Sequence, residues 1–170
     1  MGEGRQTLLA LDPGKANGYA YGWFDSVTPI TRLCAGIVGG GAQGLDDFLV
    51  AFVNEHGNPD HVVSELFVPD GGPGARETVS PRGEGVLISH FGESNIAWQK
   101  RSEKALGYHS QKQSDAKLKE LGWWLTGASV GHEDARDAND AQLHLIQFVR
   151  KMRPRHLPTL RWLHGEAPAE

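Results

Sequence analysis

The stretch Gln6 to Tyr19, QTLLALDPGKANGY, constrains this chain more than any other. Leu8, Leu9, Ala10 and Leu11 run without interruption, which reads as a strand buried on both faces, and the run ends on a carboxylate, Asp12. Pro13 and Gly14 stop the strand, and a second strand-like run follows them. A carboxylate at the mouth of a buried strand is poorly solvated unless a cation stands against it. Gly14, without a Cβ, is expected to keep the backbone clear for a partner or ligand. Two readings stay open from this stretch alone. Asp12 either bonds its own turn in a hairpin, or serves a site assembled with distant residues. Lys15 and Asn17 read as turn residues kept for solubility.

Three strands are expected in succession, Leu8–Asp12, Gly18–Phe24 and Arg32–Val38, with turn-type links that make an antiparallel meander. Leu45–Val53 carries apolar residues at helical spacing and is the first helix. His61–Leu66 is a fourth strand; because it follows a helix, it is expected to lie parallel to its sheet neighbour. It supplies a second strand-end carboxylate, Glu65. A Gly/Pro-rich loop from Val68 to Arg82 comes next, long enough to read as functional. Helix Glu84–Phe91, strand Asn95–Trp98, a helical turn at Ser102–Leu106, helix Ser114–Leu121 capped by Ser114, and a loop at Gly127–Gly131 follow. The longest helix spans Glu133–Met152 and Pro154 stops it. The order predicts an α/β fold with a mixed five-stranded sheet and helices on both faces.

That last helix bears on Asp12. Ala138, Ala141, Leu145, Phe148 and Met152 recur at spacings of three and four and form its buried stripe. One position earlier on the wheel lie Glu133, Asp137, Asp140 and His144, a polar stripe along the edge of the packed face. The helix dipole accounts for acidic residues in the first turn, but not for Asp140 and His144 further along. Like charges at this spacing repel, so the pair costs stability unless a cation sits there. Asp12, Glu65, Asp137 and Asp140 are thus four carboxylates on three elements. Hard oxygen ligands of this kind suit Mg²⁺, with Mn²⁺ as a substitute. Two such ions about 4 Å apart can activate water and stabilise a leaving oxygen, the chemistry of phosphodiester hydrolysis. His144 stands either as a metal ligand or general base, or as a satisfied edge histidine.

The net charge of −4 looks wrong for a nucleic-acid binder, but the charge is unevenly spread. Residues 1–99 carry a balance of −7 and residues 100–170 a balance of +3, with the bases bunched at 100–119 and 150–161. A bunched basic surface can hold phosphates on an acidic protein. The single cysteine, Cys34, excludes an intrachain disulfide and a cysteine-based zinc site. The chain has neither a long apolar run nor a leader-like start, so a cytoplasmic protein with no membrane contact is expected. One domain over 1–153 is expected, followed by a basic, flexible tail over 154–170.

With these motifs in order, the chain resembles the RuvC family of Holliday-junction resolvases, within the ribonuclease H-like superfamily. LLALDPGKANGYAY resembles the family's opening strand and turn, at Asp12, Pro13, Gly14, Gly18 and Tyr19. VVSELF resembles its strand ending in glutamate, at Glu65, and RDANDAQLH its acidic helix, at Asp137, Ala138, Asp140 and Ala141. The form DANDAQLH, with KLKELGWW before it, is most similar to bacteriophage-encoded resolvases, which implies the host cytoplasm. The resemblance implies a ribonuclease H-like sheet and a homodimer that nicks a four-way DNA junction symmetrically with two Mg²⁺ ions per site. It also implies phosphate-contacting bases after the fifth strand, for which Lys104, His109 and Lys112 are the candidates. The family places an aromatic wedge three residues after the strand-end glutamate; here Phe67 stands two after it. A broader branched-DNA nuclease, a ribonuclease H and a non-catalytic junction-binding protein are the alternatives. An actin-like ATP-binding fold would need about twice this length, and a DEDD exonuclease an acidic residue where Gly14 stands.

Overall fold

The computed structural model describes residues 4–14, 16–66 and 79–166. Strands β1 (Gln6–Asp12), β2 (Asn17–Phe24), β3 (Thr31–Val38), β4 (His61–Glu65) and β5 (Ile96–Gln99) form one sheet, in the order β3-β2-β1-β4-β5. β1, β2 and β3 pair antiparallel; β4 runs parallel to β1, and β5 parallel to β4. The helices are α1 (Gly41–His56), α2 (Val79–Phe91), α3 (Gln111–Glu120), α4 (Gly127–Val130), α5 (Arg136–Lys151) and α6 (Leu157–Leu163). The mixed sheet with its antiparallel first three strands and flanking helices is the expected architecture.

Strand periodicity divides β1 between two cores. Leu8 and Ala10 face α5, where they join Ala20, Val63, Ala141, Leu145 and Val149. Leu9 and Leu11 face the opposite way, onto Leu45, Leu49 and Phe52 of α1 and Leu87 of α2. All four β1 residues have no exposed surface. Each large apolar side chain buried this way contributes about 1.5–3 kcal/mol. The same alternation aims the next residue of the α5 face, Asp12, toward α5. The N-terminal half of α5 can lie close to the sheet because Ala138 and Ala141 carry little bulk there. The approach is closest at Gly18 of β2, where a Cβ would come within 2.0 Å of the Asp137 carbonyl oxygen. Gly18 is therefore the glycine this packing requires. At Gly14 the nearest atom to an added Cβ is the Ala16 carbonyl oxygen, at 3.7 Å, an ordinary contact, so the chain's own packing does not require glycine there.

Several expected boundaries move for local reasons. α5 begins at Arg136, not Glu133, because the Asp134 carboxylate accepts the Arg136 N–H at 2.9 Å and ends the preceding loop. α3 begins before Ser114. Its cap is Ser110, whose N–H donates to Gln113 Oε1 at 3.1 Å, while buried Ser114 donates to the Gln111 carbonyl within the helix. Gly127–Val130 is a helical turn, not a loop, with the Ser129 N–H donating to Thr126 Oγ1. Asn17 is buried, not a solubilising turn residue. It accepts from the Gly14 N–H and donates to the carbonyls of Val38 and Gly41, tying the Asp-Pro-Gly turn to the end of β3.

The largest difference is at the C-terminus. Residues 157–163, expected within a flexible tail, form helix α6, which packs on α5. Thr159 is buried and its Oγ1 accepts the Ile30 N–H at 2.9 Å, while His156 Nε2 bonds the Asp25 carbonyl. Trp162 packs against Trp123 with ring centroids 5.2 Å apart. These contacts reach across the chain to the β2–β3 turn, so local composition gives no sign of them. Phe67, Lys15 and most of the Gly/Pro-rich loop lie outside the described residues.

Candidate active site

β1, β4 and β5 are mutually parallel, so their C-terminal ends lie together at one edge of the sheet. In parallel α/β sheets that edge is where ligands bind. Leu11 pairs with Ser64, which places Asp12 beside Glu65 one step further on, and Glu65 pairs with Gln99. Asp12, Glu65 and Gln99 thus stand side by side at the ends of three strands. Their parity matches Ala10, Val63 and Ala97, which belong to the core under α5. Asp137 and Asp140, in the first turns of α5, face this row from above.

Charge is tightly compensated here. Lys104, in the 3₁₀ turn Arg101–Ala105 after β5, is 5 % exposed; its Nζ donates to Asp140 Oδ2 and lies 3.4 Å from Glu65 Oε2. Asp140 is 3 % exposed. Its Oδ1 lies 3.3 Å from Arg136 Nε but accepts no hydrogen bond. Arg136 also holds Asp115 of α3 at 2.9 Å, so a guanidinium ties α3 to the acidic helix. His144 is fully buried, with Nε2 3.0 Å from Glu65 Oε2 and Nδ1 2.7 Å from Gln99 Oε1. Arg101 Nε reaches to 4.0 Å of Glu65 Oε1 from solvent.

Titration behaviour follows from this crowding. Burial, followed by the charge of Glu65, pushes the Asp12 carboxyl well above its usual range; Asp140 and Asp137 add to the effect and Lys104 opposes it. Asp137 is pushed up to about 6, by burial first and then by Asp140 and Asp134. Burial also acts to raise Glu65, but the His144 hydrogen bond and the nearby Lys104 outweigh it and hold that carboxyl below its usual value.

The four sequence-predicted carboxylates therefore meet at one end of the fold. Among the described residues, no three His, Cys, Asp or Glu side chains form a ready-made metal cage. The donor set nonetheless fits a hard divalent cation. It is all carboxylate, two of its members are raised by burial and then by their neighbours' charge, and one buried oxygen, Asp140 Oδ1, accepts no hydrogen bond. A cavity of about 490 Å³ opens beside Asp137, lined by Ala16, Gly40, His132, Glu133 and Arg136 among others. His109 and Lys112 are exposed on the surface leading into α3, whereas Lys104 is turned inward among the carboxylates.

Sequence reasoning missed Gln99, Arg136 and Asp115. Gln99 had a signal, a polar residue ending a short strand on the same parity as Glu65 in the adjacent strand. Asn139 and Gln142 of the DANDAQLH segment were also missed. Asn139 bonds the N–H and carbonyl of Leu125, and Gln142 bonds Asn139 and Arg32, so both anchor the preceding loop on α5.

No protein-family model matches the chain, and no curated protein gives a significant sequence match. Solved structures do match. RuvC of T. thermophilus in complex with Holliday junction substrate superposes with a TM-score of 0.59 at 10 % identity, over 84 % of this chain and 91 % of that one. The yeast mitochondrial Holliday junction resolvase Ydc2 superposes with a TM-score of 0.53 at 16 % identity, over 92 % of this chain and 78 % of that one. Together with the strand order and the row of strand-end residues beneath α5, these likenesses establish that the chain has the ribonuclease H-like fold of the RuvC-type resolvases.

Proposed function

We propose that this protein is a divalent-metal-dependent endonuclease that resolves four-way DNA junctions. The observation that carries the reading is the convergence of Asp12 and Glu65, on adjacent parallel strand ends, with Asp137 and Asp140 on α5. The fold shared with junction resolvases supports it. Asp12, Glu65, Asp137 and Asp140 would hold Mg²⁺, or Mn²⁺ in its place. The bound metal supplies activation of water and stabilisation of the leaving oxygen at the phosphodiester.

The remaining roles belong to the chain's own groups. His144 orients Glu65 through one ring nitrogen and is itself fixed by Gln99 through the other. Arg136 fixes Asp140 relative to α3. Exposed Lys112 and His109, with the surface bases of residues 100–119, attract the DNA backbone to this edge of the sheet. The reading includes a homodimer, since two strands of a junction are cut symmetrically only if two sites face it.

Asp12→Asn is expected to abolish cleavage of a synthetic four-way junction in Mg²⁺ while junction binding persists in a gel-shift assay. Cleavage retained by that variant would overturn the assignment. Substrate class is read from a panel of four-way junctions, three-way junctions, flaps, linear duplex and RNA–DNA hybrid. Paired symmetric nicks confined to four-way junctions are the expected result; cleavage of the RNA strand would move the activity to a ribonuclease H.

A further inference from the structure

Lys104 has an unusual position for a lysine. It is the only buried lysine among the described residues, and both carboxylates it touches, Asp140 and Glu65, belong to the proposed metal-binding set. An ammonium is costly to bury unless it is paired, and so are crowded carboxylates; here each compensates the other. The segment that carries Lys104 is itself pinned. The Lys100 N–H donates to Glu103 Oε2 at 2.7 Å, Glu103 pairs with Lys151 of α5, and Leu106 is buried behind the turn. The backbone is thus fixed, while the four-carbon stem leaves the ammonium free to change partners.

We propose that Lys104 is an internal cation that occupies the Glu65–Asp140 side of the acidic cluster in the metal-free protein and competes with the metal for those two carboxylates. The inference rests on the metal-site reading above. Metal can enter only as the ammonium yields both partners, because a monovalent and a divalent cation cannot share the same oxygens without strong repulsion. The competition lowers apparent metal affinity by the fraction of molecules in which Lys104 has let go.

Mn²⁺ binding to the full chain without DNA, measured by electron paramagnetic resonance, tests this. Lys104→Met is expected to bind Mn²⁺ on the order of tenfold more tightly than the wild type, as removal of a competing state that dominates the metal-free protein requires. Lys104→Arg is expected to bind no more tightly than the wild type. Equal affinity of wild type and Lys104→Met would overturn the competition and leave the metal site standing; no Mn²⁺ bound by either would overturn both. A second measurement needs no variant and so does not depend on Lys104→Met folding. Acylation of wild-type lysines, followed by mass spectrometry, is expected to find Lys104 protected without Mg²⁺ and several-fold more reactive with it. Unchanged protection at saturating Mg²⁺ would also overturn the proposal.

Discussion

At the scale of single residues, the site is a balance of charges that would not coexist without one another. His144 shows the point. Its two nitrogens meet Glu65 Oε2 and Gln99 Oε1, so its loss removes one hydrogen-bond partner from each and leaves Glu65 to Lys104 and Arg101. His144→Ala is expected to lower junction cleavage about 10–100-fold, the usual cost of removing the group that orients a metal ligand. Single-turnover cleavage by the folded variant checks it. Asp137 makes a pH prediction of opposite sign to most carboxylates. Its value is raised from the ordinary 3.8 to about 6, so the folded chain holds this proton more tightly than the unfolded chain does. Stability contributed by this group is present at low pH and is lost as pH rises from about 4 through about 6. Glu65, held low, works the other way and loses its contribution as pH falls. In a metal chelator, the melting temperature of the wild type minus that of Asp137→Asn should fall across that window. Parallel curves would contradict the assignment.

At the scale of elements, the decisive contact is the first turn of α5 lying on β2. Gly18→Ala would drive a methyl group into the Asp137 backbone, so the helix must shift. Overpacking of this kind costs about 1–3 kcal/mol. Because the shift moves two of the four carboxylates, cleavage should fall far more than stability, on the order of 100-fold for a displacement near 1 Å. Gly14→Ala, whose added Cβ would meet the Ala16 carbonyl oxygen at an ordinary 3.7 Å, should be nearly neutral in melting assays. α6 makes a separate prediction. Thr159→Val leaves the Ile30 N–H buried without its acceptor, at a cost of about 1–3 kcal/mol, readable by denaturant titration. A neutral result there would mean that α6 does not dock on the β2–β3 turn in solution.

At the scale of the whole molecule, charge is divided between an acidic first part and a more basic second part. Junction affinity should therefore fall with salt, the logarithmic slope giving about 0.9 per phosphate neutralised. A flat salt response would contradict binding through the bases of residues 100–119. The proposed homodimer predicts twice the chain mass by light scattering on a junction, and a single-chain mass would reject paired nicking by one assembly.

Much of this was legible in the residues themselves. Asp12 and Glu65 each end an apolar strand, and Asp137 and Asp140 repeat at helical spacing, so local periodicity alone marks all four. The parallel pairing of β4 with β1 follows from the helix between them. What periodicity does not encode is which faces meet. The need for glycine at Gly18, the docking of α6, the clamp of Gln99 and His144 on Glu65, and the burial of Lys104 between carboxylates all arise where segments distant in sequence touch. A lysine three residues past an exposed Arg101 looks like surface charge until the turn carrying it packs against α5. The sequence determined the chemical identity of the site; the tertiary structure decided which groups hold it in place, because desolvation and charge pairing act only between atoms that the fold has brought together.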